Sequence, residues 1–164
     1  MVILLVFYLE LANANDLWYT ESNDTNTGGI KLKLIVCLDD RGGMAFNRRR
    51  QSRDRILIEN LVQHVGTARL YVTPYTAKLF RGHMLDLWET DTPLLDAGST
   101  DYCFSELEAP SHEADVSELT VYRWNRHYPS DTVFSLNLAD FTLASTTEFV
   151  GSSHEKITKE VWKK

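Results

Sequence analysis

Residues 31–55, KLKLIVCLDDRGGMAFNRRRQSRDR, decide the fold of this chain. The nearly unbroken apolar run from Leu32 to Leu38 is typical of a strand that is covered on both faces in the middle of an α/β sheet. Gly42 and Gly43 then predict a turn, because glycine tolerates positive φ. Residues 53–65 have the apolar spacing of an amphipathic helix. We expect the functional site at this strand-to-helix connection, because loops there can converge on a ligand.

The loop between the strand and the helix is rich in arginine, with five guanidinium groups in the eight residues 48–55. Guanidinium is planar and always charged, and it therefore suits carboxylate and phosphate groups. Three interpretations stay open: a solvated basic loop, a site for a small anionic or nucleotide-like ligand, and a footprint for nucleic acid. The ligand-binding residues that this loop predicts are Asn47, Arg48, Arg49, Arg50, Arg53 and Asp54.

Asp54 has the most specific position of these candidates, because it stands between two arginines at the predicted start of the helix. Gln51 or Ser52 is expected to cap the helix, which places Asp54 in the first turn, where a carboxylate interacts favourably with the helix dipole. The alternative role is that of a carboxylate at a pocket edge, which hydrogen-bonds a ring of the ligand. The sequence leaves both roles open.

A second candidate segment, RWNR at residues 123–126, places an aromatic ring between two cations. A ring in this setting can stack against a base or another planar ligand, so Trp124 and Arg126 join the predicted ligand-binding residues. The alternative is a Trp124 side chain packed in the core, with the arginines reaching outward to solvent.

The composition limits the class of protein. The chain has 164 residues and a net charge of −6, which predicts one domain and no overall electrostatic attraction to nucleic acid or to an anionic membrane. Any contact with a polyanion would be local, through the arginine loop. Cys37 and Cys103 lack CxxC spacing, which predicts neither a zinc site nor a disulfide framework and agrees with a reducing cytoplasm.

The first residues of the chain differ from the rest. Residues 1–14 are apolar and end in Ala12-Asn13-Ala14, a pattern similar to a signal cleavage site, but no Lys or Arg precedes Lys31. The run is shorter than the ~20 residues that span a bilayer. We expect an extension or linker over residues 1–30 and a single domain over residues 31–164. The predicted location is the cytoplasm, with export as the alternative if residues 1–14 act as a signal.

The remainder of the chain alternates strands with a helical turn and becomes rich in strands toward its end. A strand after the helix predicts a parallel pair in a βαβ crossover. Residues 82–100 mix helix-compatible residues with loop, residues 106–118 are expected to form a surface loop, and residues 154–162 fit a strand or a short helix. The predicted strands cover residues 69–73, 101–105, 119–124, 132–136 and 141–149, with a helical turn at 75–81.

Three strings in this layout resemble the dihydrofolate reductase-like fold: LKLIVCLDDRGGMAFN at 32–47, LTVYRWNRHYPSDTVF at 119–134 and FTLASTTEFVGSSHEKITKEVW at 141–162. The resemblance covers residues 31–164. It implies an α/β fold with a mixed, mostly parallel sheet and a closing C-terminal antiparallel hairpin. The middle of the chain is reduced, since it is shorter than in a full reductase. The resemblance also implies that Asp54 stands near the place of the family's substrate-binding carboxylate.

The chain departs from that family at the cofactor motifs. Where the family has Gly-Arg-x-Thr after the second strand, this sequence has Thr73-Pro74-Tyr75-Thr76. The family's late Gly-Gly turn, which opens a helix and receives a pyrophosphate on backbone N–H groups, has no counterpart, because Gly42-Gly43 lies in the first loop. These departures count against an NADPH-type cofactor bound in the family's way.

The strings FNRRRQSRDR, YRWNR and GSSHEKITKE are similar to those of short bacterial proteins that carry the name ribonuclease Z. That name implies a di-zinc phosphodiesterase that cleaves transfer-RNA precursors. Two zinc ions need clustered His and Asp ligands, whereas the histidines here are isolated along the chain, and we predict no metal site. The residues favour a binder of an anionic or nucleotide-like ligand, with the nuclease and a divergent NADPH-dependent reductase as alternatives. The histidines are His64, His83, His112, His127 and His154.

Overall fold

The computed structural model describes residues 31–111 and 115–164. The predicted extension over residues 1–30 lies outside the described residues and stays a prediction. No helix in the described ranges is long and apolar enough to cross a membrane. The elements are β1 (Leu32–Leu38), β2 (Gly43–Phe46), β3 (Arg49–Arg50), α1 (Arg55–Val65), β4 (Arg69–Val72), α2 (Pro74–Ala77), a 3₁₀ turn (Lys78–Phe80), β5 (Asp86–Glu89), α3 (Pro93–Asp96), β6 (Tyr102–Phe104), β7 (Val116–Arg123), β8 (Thr132–Val133), β9 (Thr142–Phe149) and β10 (Ile157–Lys163).

The larger of two sheets has seven strands in the order β5-β4-β6-β1-β7-β10-β9. The pairs from β5 to β7 are parallel, and β10 pairs antiparallel with both β7 and β9. The last of these strands in sequence, β10, therefore lies inside the sheet. This arrangement confirms the predicted α/β fold, a mostly parallel sheet closed by an antiparallel hairpin.

β1 lies at the centre of the sheet and is buried on both faces, as its apolar run predicts. Ile35 packs with Leu57 and Leu61 of α1 in one hydrophobic cluster. Leu34 and Val36 belong to a second cluster on the opposite face. The two clusters follow from the period of two residues along a strand, so a near-continuous apolar sequence supplies both cores at once.

α1 buries one face against the sheet and exposes the other, which confirms the helical spacing predicted for residues 53–65. The helix ends at Gly66, whose φ of 61° lies in the left-handed region and whose N–H donates to the carbonyl of Val62. The buried residues of the helix are Leu57, Ile58, Leu61 and Val65.

The strand order corrects the prediction that the strands before and after α1, β1 and β4, pair with each other. β1 and β4 are separated by β6, which is parallel to both: Tyr102 of β6 is in register with Lys33 and with Leu70. All of β6 is buried. An apolar strand that comes later in the chain takes the central position because there it buries both of its faces, and chain order alone does not reveal this.

The structure also corrects several predicted boundaries. A strand that we did not predict, β5, lies within residues 82–100; it is mostly exposed and lacks a clear alternation because it pairs with β4 alone. β7 starts at Val116, within the predicted loop, since Val116 is fully buried. The strand predicted at 132–136 is limited to Thr132–Val133. Residues Ile157–Lys163 form a strand, which excludes the helix considered for this segment.

β2, β3 and β8 form a small second sheet. Asn47 and Arg48 connect β2 to β3 with φ of 50° and 57°, as a two-residue hairpin turn with left-handed backbone requires. Upstream of β2, Asp39 is fully buried and accepts hydrogen bonds from the N–H groups of Gly43 at 2.8 Å and Tyr128 at 3.1 Å. Burial opposes ionisation of Asp39, but these bonds lower its pKa overall. Asp39 thus holds the loops after β1 and β7 together.

His64, near the end of α1, lies over the sheet, and its Nε2 is 3.0 Å from the hydroxyl oxygen of Thr120. Glu118 is near, with a carboxylate oxygen 3.8 Å from the same nitrogen. Burial, aided by the ammonium of Lys159, lowers the pKa of His64 to about 4, although Glu118 opposes the shift. His64 is therefore neutral at pH 7.

This environment makes stability depend on pH. In the unfolded chain His64 takes up a proton near pH 6.5, whereas in the folded protein its pKa is about 4, so stability is lost as the pH falls through this window. We expect a loss of up to about 3 kcal/mol between pH 7 and pH 4 in urea unfolding. His64→Gln, which retains a partner for Thr120, is expected to flatten this slope. The exposed His127→Gln is the control, and an equal flattening there would contradict the assignment.

Candidate functional site

Asp54 is the N-cap of α1, so the prediction that Gln51 or Ser52 caps the helix is wrong. Its backbone is extended, and Oδ1 accepts from the N–H of Ile56 at 2.9 Å and of Leu57 at 3.2 Å. A side chain one residue before the helix reaches these N–H groups, whereas Gln51 and Ser52 are too far upstream.

Asp54 also binds the turn between β9 and β10, about a hundred residues further along the chain. Oδ1 accepts from the N–H of Ser152 at 2.9 Å, and Oδ2 accepts from the N–H of Ser153 at 2.7 Å. The Nδ1 atom of His154 lies 3.1 Å from Oδ2. Gly151 packs so closely that a Cβ there would collide with Oδ2. The turn sequence GSSH is therefore shaped to enclose this carboxylate.

These bonds determine the charge of Asp54. Burial, with only 1% of the residue exposed, would raise its pKa, but donation from Ser152, Ser153 and His154 holds the pKa well below its usual range. The carboxylate is ionised, and both oxygens are occupied by donors of the protein. This geometry favours the structural role of Asp54, and its contact with a ligand stays a prediction.

His154 is packed between aromatic side chains. The Trp124 ring stacks on it with a centroid distance of 4.6 Å, and the hydroxyl of Tyr128 is 2.9 Å from Nε2. Trp124 is only 3% exposed, so its ring is part of the core. The hydroxyl of Ser153 and Oδ2 of Asp54 both approach the same imidazole nitrogen, Nδ1. A catalytic triad needs the hydroxyl and the carboxylate at opposite nitrogens of the imidazole. This cluster therefore stabilises the turn.

The arginines of the first loop diverge. Arg48 and Arg49 are exposed on the β2–β3 hairpin, whereas Arg50 turns inward and forms an ion pair with Glu106, with 2.9 Å between Nη2 and Oε2. The guanidinium of Arg50 also lies 4.2 Å from the ring centroid of Tyr75 and donates to the Tyr75 carbonyl. The predicted common anion site at Arg48, Arg49 and Arg50 is not assembled, because neighbouring residues in a strand point to opposite faces.

Glu106 is the buried partner of this ion pair. Its side chain is 5% exposed, and Oε2 accepts from the hydroxyl of Thr76 at 2.8 Å. Burial raises the pKa of Glu106, while the guanidinium of Arg50 opposes the shift. The ion pair connects the end of β6 to β3 and α2.

The segment after β6 does not contain the helix-opening Gly-Gly turn that the resemblance implies for a pyrophosphate site. Residues 105–108 form no helix whose N-terminal N–H groups are free for phosphate, and Glu106 occupies this position with a carboxylate. Glu108 adds a second, exposed carboxylate.

Arg53 and Arg55, at the start of α1, line a cavity of about 370 Å³, which we call the cationic pocket. Lys78 and His83, from the 3₁₀ turn and the segment after it, form the opposite wall. Arg55 pairs with Glu59 at 2.6 Å, while Arg53 and Lys78 have no ion-pair partner within the described residues. The polar lining consists of Arg53, Arg55, Lys78, His83, Ser152 and Ser153, with Asp54 behind them.

The cationic pocket contains only part of the predicted set. Arg53 and Asp54 line it, and the other predicted residues lie elsewhere: Asn47, Arg48, Arg49, Arg50, Trp124 and Arg126. Sequence reasoning missed Lys78 and His83, because they come from a separate segment and no local pattern marks them. The terminal serines were missed for the same reason.

No group of three or more His, Cys, Asp or Glu side chains within residues 31–111 and 115–164 is placed to hold a metal ion. His112 lies outside the described residues. Cys37 and Cys103 are free thiols. Burial raises the pKa of Cys103 to about 12, so this thiol stays protonated.

The strand order and the closing hairpin define an α/β fold with a mostly parallel sheet. A solved structure with the same architecture is dihydrofolate reductase from Enterococcus faecalis in complex with NADP(H) and RAB-propyl, with a TM-score of 0.56 and 10% sequence identity. The match covers 81% of this chain and 95% of that one. The chain thus has a dihydrofolate reductase-like fold. The sequence matches no protein-family model and no curated protein.

Proposed function

We propose that this dihydrofolate reductase-like domain binds a small anionic ligand in the cationic pocket. The observation that carries the proposal is the concentration of cationic and hydroxyl side chains around one cavity in a chain with a net charge of −6. The proposal keeps Arg53 from the first loop and moves the rest of the site to Arg55, Lys78, His83 and the terminal turn.

The charges around the pocket support this proposal. Arg53, Arg55 and Lys78 bring three positive charges to the wall, against the ionised carboxylate of Asp54, whose oxygens are occupied by hydrogen bonds within the protein, and that of Glu59, which pairs with Arg55. An anion entering the cavity therefore meets cations that lack an equal number of acidic partners. Arginine and lysine are the side chains that hold phosphate and carboxylate groups.

The size of the cavity limits the ligand. Small-molecule sites typically enclose ~300–1,000 Å³, and the cationic pocket is near the lower end of this range. A phosphorylated metabolite or a mononucleotide-like compound is of suitable size. The described residues add no support for the ribonuclease Z alternative or for the alternative of an NADPH-dependent reductase.

The test is calorimetric titration of the full chain with inorganic phosphate at low ionic strength, with thermal stabilisation as a second readout. We expect Arg53→Ala and Lys78→Ala each to weaken binding roughly tenfold, because each removes a charged hydrogen bond worth ~1.5 kcal/mol or more. Added salt is expected to weaken binding in the same direction.

Arg48→Ala is the matched control, because it removes the same charge from the exposed hairpin outside the pocket. Its phosphate affinity is expected to stay within twofold of the parent. An equal loss in all three variants would show a general charge effect and no pocket. The absence of any phosphate binding would contradict the proposal itself.

A further inference from the structure

We infer that the ligand of the cationic pocket carries its anionic group on an apolar body, which makes an aryl or acyl phosphate a better ligand than phosphate alone. This inference rests on the proposed function and specifies its ligand class. The structure gives two observations for it: the composition of the pocket floor and a second cavity beside it.

The cationic pocket also has apolar lining. We call the apolar lining residues, Ile58 of α1 and Leu79 of the 3₁₀ turn, its floor, and the charged lining residues its rim. Ile58 is 6% exposed, and Leu79 packs against the same hydrophobic cluster. An inorganic anion would use only the rim. A ligand with a hydrocarbon part would also cover the floor and remove apolar surface from water.

A second cavity of about 270 Å³ lies on the other side of the 3₁₀ turn, toward β5. Four of its seven lining residues are apolar: Pro74, Ala77, Phe80 and Leu87. Lys78 lines both cavities. A lysine side chain has an apolar stem and a charged end, so it can contact hydrocarbon on one side and an anion on the other.

The charges of the second cavity fit a neutral body. Arg81 and Glu89 line it together and offset each other, which leaves the shared Lys78 as its remaining charge, whereas the cationic pocket has Arg53 and Arg55 in addition to Lys78. The anionic group is therefore favoured in the cationic pocket, and the uncharged part of the same ligand is directed past Lys78 toward the apolar walls. Phenyl phosphate is the simplest probe with this division.

The experiment compares three ligands on the full chain by calorimetric titration: inorganic phosphate, phenyl phosphate and phenol. We expect phenyl phosphate to bind roughly tenfold more tightly than phosphate, since burial of a ring contributes at least that factor. Phosphate is expected to compete with phenyl phosphate, and phenol alone is expected to bind weakly.

Variants locate the apolar contact. Leu87→Ala is expected to reduce the advantage of phenyl phosphate at least threefold while phosphate affinity stays unchanged. Leu85→Ala, which removes the same group outside both cavities, is the matched control. Far-UV circular dichroism checks the fold of each variant, and the ligand series on the parent protein remains decisive if a variant does not fold.

The outcomes separate this inference from the proposed function. Equal affinity for phosphate and phenyl phosphate would overturn the inference and leave the anion site intact. Phenyl phosphate binding that phosphate does not compete with would overturn it too, because the anionic group would then lie elsewhere. The absence of binding by both phosphates would contradict the proposed function and, with it, the inference.

Discussion

Replacing Asp54 with alanine is expected to lower the free energy of unfolding by about 3–5 kcal/mol. The substitution removes the cap of α1, the acceptors of the partly buried N–H groups of Ser152 and Ser153, and the partner of the buried His154 imidazole. An unpaired buried donor costs ~1–3 kcal/mol, and loss of a cap costs ~1 kcal/mol. The measurement is urea unfolding at pH 7, monitored by tryptophan fluorescence. Asp54→Asn, which retains one acceptor oxygen, is expected to lose about half as much.

Asp40→Ala is the matched control for this prediction, because Asp40 is exposed and its substitution is expected to cost less than ~0.5 kcal/mol. The pH dependence provides a second check. The pKa of Asp54 is lowered in the folded state, so its contribution is present above its unfolded pKa of ~3.9 and is lost as the pH falls below that value. A loss below about 1 kcal/mol in Asp54→Ala would contradict the role assigned to this carboxylate.

Replacing Arg50 with methionine is expected to destabilise the protein by about 3–5 kcal/mol, because it leaves the buried carboxylate of Glu106 without its cation. Urea unfolding at pH 7 measures the loss. The loss is expected to shrink at lower pH. Burial raises the pKa of Glu106, and without Arg50 the carboxyl group becomes still easier to protonate in the folded state.

The control is the double variant Arg50→Met/Glu106→Gln, in which no buried charge remains and Gln can still accept the hydrogen bond from Thr76. It is expected to recover at least half of the stability lost in the single variant, because an isolated buried charge costs more than a missing ion pair. If the double variant were as unstable as the sum of the two single variants, the ion pair would not be the cause.

Local signals in the sequence were sufficient for the central elements. The apolar run of β1, the spacing of α1 and Gly66 after it all depend on neighbours within a few residues, and the structure confirms them. β5 was missed because an edge strand that pairs on one side buries little and therefore carries no clear alternation. The place of β6 between β1 and β4 depends on tertiary packing, which no local pattern encodes.

The site was less predictable than the fold. A cluster of arginines in sequence indicates cations but not their direction, and the strand geometry of Arg49 and Arg50 sends one to solvent and the other into an ion pair. The wall formed by Lys78 and His83 is contributed by a distant segment. The sequence singled out Asp54 as a carboxylate at the start of the helix, but it gave no sign of its partners in the terminal turn, and a ligand contact of Asp54 stays a prediction.

The internal position of β10 has a consequence for synthesis of the chain. β7 and β9 are made first, and the strand that must lie between them leaves the ribosome last among the described elements. Until then β7 has an open edge, and the N-terminal end of α1 lacks the turn that encloses its capping carboxylate. Nascent chains are thus expected to be prone to misassociation and dependent on chaperones until translation has passed residue 163.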